Sequence, residues 1–156
     1  VEKGNPMKGI LVCLGAIAAA SLSVNAASQE AVQYFPTPPV DGQSLPFSEA
    51  VRVGNTLYLA GQVGNAPGTL KLVPGGMRAE ARQVMENIKA ILERHGSPLD
   101  RVVKCTVFLT DMKEWAAFNE LYREYFKTHL PARSALGANG LALGARVEVE
   151  CIAVTP

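Results

Sequence analysis

Residues 146–154 read RVEVECIAV, and this stretch decides how the chain folds. Every second position from Val147 to Ala153 is apolar, whereas the positions between them include Glu148 and Glu150. An alternation with a period of two is typical of a strand that buries one face. The stretch therefore predicts a half-buried strand whose other face carries two carboxylates.

The segment that precedes this strand along the chain contains an arginine among small residues. Pro131 and Ala132 come before Arg133, and Ser134 and Ala135 follow it. Small neighbours let a ligand approach the backbone and leave the guanidinium as the dominant polar group. With a carboxylate expected one strand away, Arg133 is predicted to bind a small carboxylic acid beside a positioned water. The alternatives are an ion pair at a subunit interface for the arginine and a solvated strand position for the glutamate.

The rest of the chain predicts an α+β fold. Residues 47–63 form a hairpin, residues 78–95 a helix with one apolar face, residues 101–110 a strand, and a second helix follows. The expected product is a mixed β-sheet with two helices packed on one face. The opposite face would expose apolar side chains, and an apolar patch of this kind predicts association with further copies.

The second helix is expected to open at Asp111, which forms a capping box with Glu114, and to end near residue 127. Aromatic side chains are predicted to make its buried face: Trp115, Phe118, Tyr122, Tyr125 and Phe126. Asn119 lies on the same face and must be hydrogen-bonded there, because an unpaired buried amide costs about 1–3 kcal/mol. It either ties the helix to a neighbouring segment or contacts a substrate.

The first 26 residues have the order of a secretory signal peptide. Lys3 and Lys8 precede an apolar run at residues 10–24, and Ala26 is a small residue suited to cleavage. The run is shorter than the about 20 residues that span a bilayer, so we expect a periplasmic or secreted protein with no membrane attachment after cleavage. An uncleaved anchor or a buried helix are the alternatives. Residues 27–44 are predicted to be an arm without regular structure, followed by one domain at residues 45–156.

Composition excludes several classes of function. A net charge of +1 over 156 residues gives no electrostatic attraction for nucleic acid. The cysteines lack the spacing of a metal site, and Cys105 and Cys151 are expected to be buried free thiols, since a disulfide would need adjacent strands. Phosphate-loop, dinucleotide and metalloprotease motifs are missing from the sequence. Both histidines lie at the ends of predicted helices, so a serine or cysteine nucleophile has no evident base.

From about residue 46 to residue 154, the chain resembles the RidA family of enamine and imine deaminases. The matching segments are 46–51, 59–62, 83–92, 102–111, Asn119 with Tyr122 and Phe126, 131–134, and 147–153. The resemblance implies a fold similar to chorismate mutase and a homotrimer with its sites between subunits. It also implies hydrolysis of a 2-imino acid to a 2-keto acid and ammonia, with no metal and no cofactor.

The resemblance also assigns roles to individual residues. Arg133 matches the arginine that clamps the substrate carboxylate, and Glu148 matches the glutamate that positions water. Gly61 would leave room for the substrate, and Asn119 would support it. A binding protein or holdase-type chaperone of the same fold is the alternative function, and RNA cleavage is a weaker third.

Three positions depart from the family pattern: Phe47, Ala60 and Ala135 stand where the family often has tyrosine, serine and cysteine. Each change removes a hydrogen-bonding group and keeps an apolar shape. We therefore expect Phe47 and Ala135 to line a drier substrate cleft.

Overall fold

The computed structural model describes Val1 and residues 30–156. The predicted signal peptide at residues 1–26 therefore lies, apart from Val1, outside the described residues. Within the described part of the chain, no helix is both long enough and apolar enough to cross a membrane.

The described residues form a mixed sheet and two α-helices. In chain order the elements are β1 (Val32–Pro36), β2 (Ser48–Val53), β3 (Thr56–Leu59), β4 (Gln62–Val63), α1 (Met77–Arg94), β5 (Val102–Leu109), α2 (Trp115–Tyr125), β6 (Ala132–Gly137) and β7 (Val147–Val154). The sheet order is β1-β2-β3-β7-β5-β6, and β4 also pairs with β7. Strands β5 and β6 run parallel, and the other pairs are antiparallel. The predicted α+β class with a mixed sheet and two helices is confirmed.

A single apolar core joins the helices to one face of the sheet. From α1 it includes Val84 and Ile88, and from α2 it includes Phe118. The alternate residues of β7 from Val147 to Ala153 are buried, as their pattern predicts. Removing these side chains from water supplies the main force that holds the helices on the sheet.

Strand β1 lies in the segment expected to have no regular structure. It pairs antiparallel with β2 at the edge of the sheet. Prolines are tolerated at a sheet edge, where their missing N–H faces solvent, and Pro36 is the last residue of the strand. The prolines thus end this strand and do not exclude it.

A β-bulge in β2 directs Glu49 towards the end of α1. The register with β1 shifts at this point, so Glu49 is an extra residue in β2. Its buried carboxylate is 2.5 Å from the Arg94 guanidinium and 2.8 Å from the Nε2 atom of His95. The His95 ring also stacks on Phe35. His95, expected only at the end of a predicted helix, thus makes a buried polar contact with Glu49.

The start of α2 differs from the prediction. The Asp111 carboxylate accepts a hydrogen bond from the Lys113 N–H, but the first turn is a 3-10 turn and the α-helix proper begins at Trp115. The Glu114 carboxylate is 2.7 Å from Arg146, so this side chain does not complete a capping box. Trp115 is 44% exposed, and its expected burial is wrong.

Cys105 and Cys151 form a disulfide, and the expectation of free thiols is wrong. They are direct partners in the antiparallel pair of β5 and β7, with their Cα atoms 4.1 Å apart. Both lie in the buried core. Each strand is evident from its own pattern, but that β5 and β7 are neighbours depends on the sheet order.

Candidate functional site

Helix α2 holds the Arg133 side chain in place. The guanidinium carbon lies 4.8 Å from the centre of the Tyr122 ring, and Nη2 donates a hydrogen bond of 2.5 Å to Oδ1 of Asn119. The face of an aromatic ring attracts a cation electrostatically. Arg133 is therefore oriented by the two side chains before any ligand arrives.

Asn119 has a role that the sequence left open. Its side-chain oxygen accepts from Arg133, so it ties α2 to β6 and orients the guanidinium. Beside it, the buried Tyr122 hydroxyl has no hydrogen-bond partner among the described residues. Burial raises the pKa of Tyr122 to about 12, against the opposing effect of Arg133. The hydroxyl therefore stays protonated at neutral pH and can donate a hydrogen bond.

Arg133 lies at the side of an open cavity of about 290 Å³. The other lining residues come from α2 and the segment before β6: Trp115, Asn119, Tyr122, Arg123, Leu130 and Pro131. Ala135, predicted to contact substrate, follows Arg133 by two residues and packs against the core. The structure therefore does not bring Ala135 into this cavity.

Glu148 faces a second and larger cavity, of about 500 Å³. Phe47, Ala60 and Gly61 line it together with the glutamate. Among the described residues, no group donates a hydrogen bond to the Glu148 carboxylate. Its pKa is raised, first by burial and second by the neighbouring charge of Glu150. A carboxylate with a raised pKa and no protein partner is suited to accept a proton from water.

Gly61 gives room to the Glu148 carboxylate. Between β3 and β4 the pairing with β7 shifts by one residue, which marks a bulge near Ala60 and Gly61. A Cβ atom at Gly61 would lie 2.0 Å from Oε1 of Glu148. The space predicted to admit substrate is thus occupied by the glutamate. The same shift places Val63 opposite Glu148 on β7 and away from the buried face.

Arg133 and Glu148 do not meet within one chain. Strand β5 lies between β6 and β7, so the two residues are two strands apart, and the expectation of one strand is wrong. They also point to opposite faces of the sheet. Arg133 is the register partner of the buried Cys105, and its side chain contacts α2. Glu148 is the register partner of Phe108, whose side chain lies on the other face of the sheet. A site that uses both groups needs a second copy of the chain.

The side chains that line the two cavities include no set of metal-binding donors. In residues 30–156, no group of three His, Cys, Asp or Glu side chains is arranged to hold an ion. The residues that line the Glu148 cavity also include no cationic side chain. A carboxylate-bearing ligand in that cavity would therefore need a positive charge from elsewhere.

The chain is similar to a family model, to named proteins and to solved structures. Residues 42–155 match the family model described as Endoribonuclease L-PSP. A mouse protein named 2-iminobutanoate/2-iminopropanoate deaminase is 47% identical over 109 residues, which cover 70% of this chain and 81% of the mouse protein. The crystal structure of RidA from the Antarctic bacterium Psychrobacter sp. PAMC 21119 has a TM-score of 0.71 at 41% identity, and covers 78% of this chain and 98% of its own. Yeast Mmf1 has a TM-score of 0.73 at 38% identity, over 81% and 100% of the two chains.

These relatives correct the prediction of a signal peptide and of a periplasmic protein. The mouse relative, aligned over 81% of its own length, is named for imine deamination, and nothing in that comparison indicates export. The match to the family model begins at residue 42, so it contains none of the segment from which export was predicted. The export interpretation therefore finds no support among the relatives.

Proposed function

Because the chain belongs to the RidA family, whose model matches residues 42–155, we propose that it hydrolyses 2-imino acids to 2-keto acids and ammonia. The observation that carries the proposal is the Glu148 carboxylate, which has a raised pKa, has no hydrogen-bond donor among the described residues, and faces a cavity. A curated relative in mouse bears the name of this activity.

The active assembly in this proposal is a chorismate-mutase-like homotrimer. The sheet face opposite the helices exposes apolar side chains, among them Tyr58 at 46% and Leu136 at 42%. Exposed patches of this kind mark interaction surfaces. In this arrangement we place Arg133 of one chain at the Glu148 cavity of the next, and cyclic symmetry repeats that contact at every interface. Each site then has both groups.

Arg133 would bind the carboxylate of the imino acid. The planar guanidinium forms two parallel hydrogen bonds with a carboxylate, which fixes the orientation of the ligand. Asn119 and the Tyr122 ring already hold the group in place, so little side-chain freedom is lost on binding. The imine carbon is thereby positioned beside Glu148 of the neighbouring copy.

Glu148 would act as the base for the attacking water. The water oxygen bonds to the carbon of the protonated imine while one water proton passes to Glu148, which gives a neutral carbinolamine. Glu148 returns this proton to the nitrogen. The C–N bond then breaks, ammonia leaves, and the remaining hydroxyl proton is transferred to the ammonia as the C=O bond forms. The products are a 2-keto acid and an ammonium ion.

The description of the family model indicates RNA cleavage, but the residues of the site support this activity less than they support imine hydrolysis. Neither histidine lines the Glu148 cavity: His95 is bonded to Glu49, and His129 lies on another part of the surface. Among the described residues, no cationic side chain of the same chain lines this cavity, so a neighbouring Arg133 would be its single phosphate contact. Imine hydrolysis needs one base and one anchor for a carboxylate, and the chain offers both.

The test measures 2-iminobutanoate generated in situ by a dehydratase that acts on threonine. We expect the protein to speed the release of ammonia above the spontaneous rate. Glu148→Gln should lower kcat by about 10²–10⁴-fold, because a positioned base is lost while the shape is kept. Circular dichroism checks that the variant is folded. Equal turnover by the wild type and by folded Glu148→Gln would rule out the mechanism.

A further inference from the structure

One residue of α1 contacts the chain beside both strands that support Glu148. Glu80 lies in the first turn of the helix, and its side chain is buried. Its Oε2 atom accepts a hydrogen bond of 2.8 Å from the backbone N–H of Arg146, the residue before β7. Its backbone lies against Gly64, the residue after β4, where an added Cβ atom would be 2.6 Å from the Glu80 Cα atom. The helix is thus joined to both strands through Glu80.

The two contacts flank the residue pair that includes the proposed base. Val63 of β4 is the register partner of Glu148 on β7. Gly64 follows Val63 directly, and Arg146 lies just before the start of β7. The register shift near Gly61 belongs to the same pairing of β4 with β7. A displacement of either strand would therefore move the Glu148 carboxylate relative to Gly61.

The Glu80 carboxylate is well suited to hold the start of β7. A buried carboxylate is unfavourable unless it is hydrogen-bonded, and the Arg146 N–H supplies such a bond. The partial positive charge of a helix N-terminus also stabilises a carboxylate in the first turn. Glu80 lines neither the Arg133 cavity nor the Glu148 cavity, so any effect that it has on the reaction passes through other residues.

On the basis of the imine hydrolysis proposed above, we infer that Glu80 is a positioning residue for this reaction. Through its contacts with Arg146 and Gly64, it holds Glu148 where the carboxylate accepts a proton from water. The anchor for the substrate carboxylate is independent of it, because Arg133 is oriented by side chains of α2. Loss of the Glu80 hydrogen bond therefore slows the chemical step and leaves substrate binding intact.

A second hydrogen bond to β7 provides a matched control. Ser97, which follows α1, is buried, and its Oγ donates a hydrogen bond of 3.2 Å to the backbone oxygen of Val154 at the end of β7. Val154 lies about 20 Å along the strand from Glu148, at a rise of about 3.4 Å per residue. Ser97→Ala thus removes a buried link to the same strand at a distance from the proposed base.

The experiment measures kcat and KM for 2-iminobutanoate generated in situ, and urea unfolding reports the stability of each variant. Glu80→Ala should lower kcat by about tenfold or more and leave KM unchanged, because a displacement of about 1 Å at a reacting group costs up to about 10²-fold. Glu80→Gln keeps an oxygen that accepts from the Arg146 N–H, and it should retain most of kcat. Ser97→Ala should lower the urea midpoint and keep the wild-type kcat.

A folded Glu80→Ala with the wild-type kcat overturns the inference and leaves the proposed function standing. An equal loss of kcat in Ser97→Ala, or in Glu80→Gln, does the same. If Glu80→Ala does not fold, Glu80→Asp takes its place, since it keeps the charge and withdraws the acceptor by one methylene. A wild-type kcat in folded Glu80→Asp then overturns the inference. A wild-type protein that hydrolyses no imine overturns the proposed function itself, and the inference with it.

Discussion

Gly61 and Glu148 are in such close contact that the glycine has no room for a side chain: an added Cβ atom would lie 2.0 Å from Oε1 of the glutamate. The clash involves the end of a flexible side chain, so Glu148 can move away without disturbing the fold. The glycine is thus required by the position of the carboxylate, which is the proposed base. This relationship leads directly to a mutational test.

We expect Gly61→Ala to reduce kcat by about 10²-fold, because a displacement of about 1 Å at a reacting group has an effect of this size. The midpoint of thermal unfolding should change little. Gly137→Ala is the matched control, since its new methyl group would meet only the Met112 side chain, at 3.3 Å. Full activity in Gly61→Ala would show that the carboxylate does not need its observed position.

The pH profile of kcat/KM should report the ionisation of Glu148. Burial and the charge of Glu150 raise its pKa, so activity should rise with pH through a midpoint above that of an ordinary glutamate. Glu150→Gln removes one of the two causes and should move the midpoint to lower pH. Glu93→Gln, at an exposed position of α1, should leave it in place. A midpoint that is the same in Glu150→Gln and the wild type would contradict the assignment.

The same shift has a consequence for stability. A raised carboxyl pKa means that the folded chain binds this proton more tightly than the unfolded chain. At a pH above its folded-state pKa, the ionised Glu148 therefore lowers the free energy of unfolding. This effect disappears as the pH falls below the pKa that the same glutamate has in the unfolded chain. Glu148→Gln should accordingly be more stable than the wild type at neutral pH, as measured by urea unfolding.

Asn119→Ala should weaken substrate binding by freeing the guanidinium of Arg133. A hydrogen bond to a charged group contributes about 1.5–3 kcal/mol, so kcat/KM should fall by roughly 10–100-fold, mainly through KM. Glu120→Ala, next to Asn119 on α2, removes an exposed ion pair with Arg78 of α1 and should leave KM unchanged. An unaltered KM in Asn119→Ala would remove the positioning role of the amide.

The disulfide between Cys105 and Cys151 should stabilise the fold without taking part in the reaction. It links residues 46 positions apart, and loop closure of this length corresponds to about 4 kcal/mol in the chain-entropy model. Reduction should therefore lower the urea midpoint and leave kcat unchanged, since both cysteines lie in the buried core. Equal midpoints for the oxidised and the reduced protein would contradict this.

The strands and helices were predictable wherever a local pattern determines them. The alternation in β7 predicted which residues lie on each of its two faces, and the apolar spacing predicted the bounds of α1 to within one residue at each end. The sheet order was not predictable in this way, because it depends on contacts between segments far apart in the chain. For this reason the pairing of Cys105 with Cys151, and the strand that separates Arg133 from Glu148, required the structure.

The geometry of the candidate site was not predictable from the sequence, although its proposed residues could be named. Arg133 and Glu148 were identified from their surroundings and from the family resemblance. That Gly61 accommodates a carboxylate, and that Asn119 orients the arginine, depends on a bulge and on the packing of α2. The left-handed backbone of Leu143, in the wall of the Glu148 cavity, was not predictable either, since nothing in its local sequence indicates it.

Each site is proposed to combine Arg133 of one chain with Glu148 of another. Arg133→Ala and Glu148→Gln should each be inactive alone. When the two variants are co-expressed in equal amounts, random assembly gives about a quarter of the sites both native groups. Mixing Arg133→Ala with the double variant is the control, because no intact arginine is then present. We expect activity near a quarter of the wild-type value in the first mixture and none in the control; an inactive first mixture of assembled, folded chains would contradict the shared site.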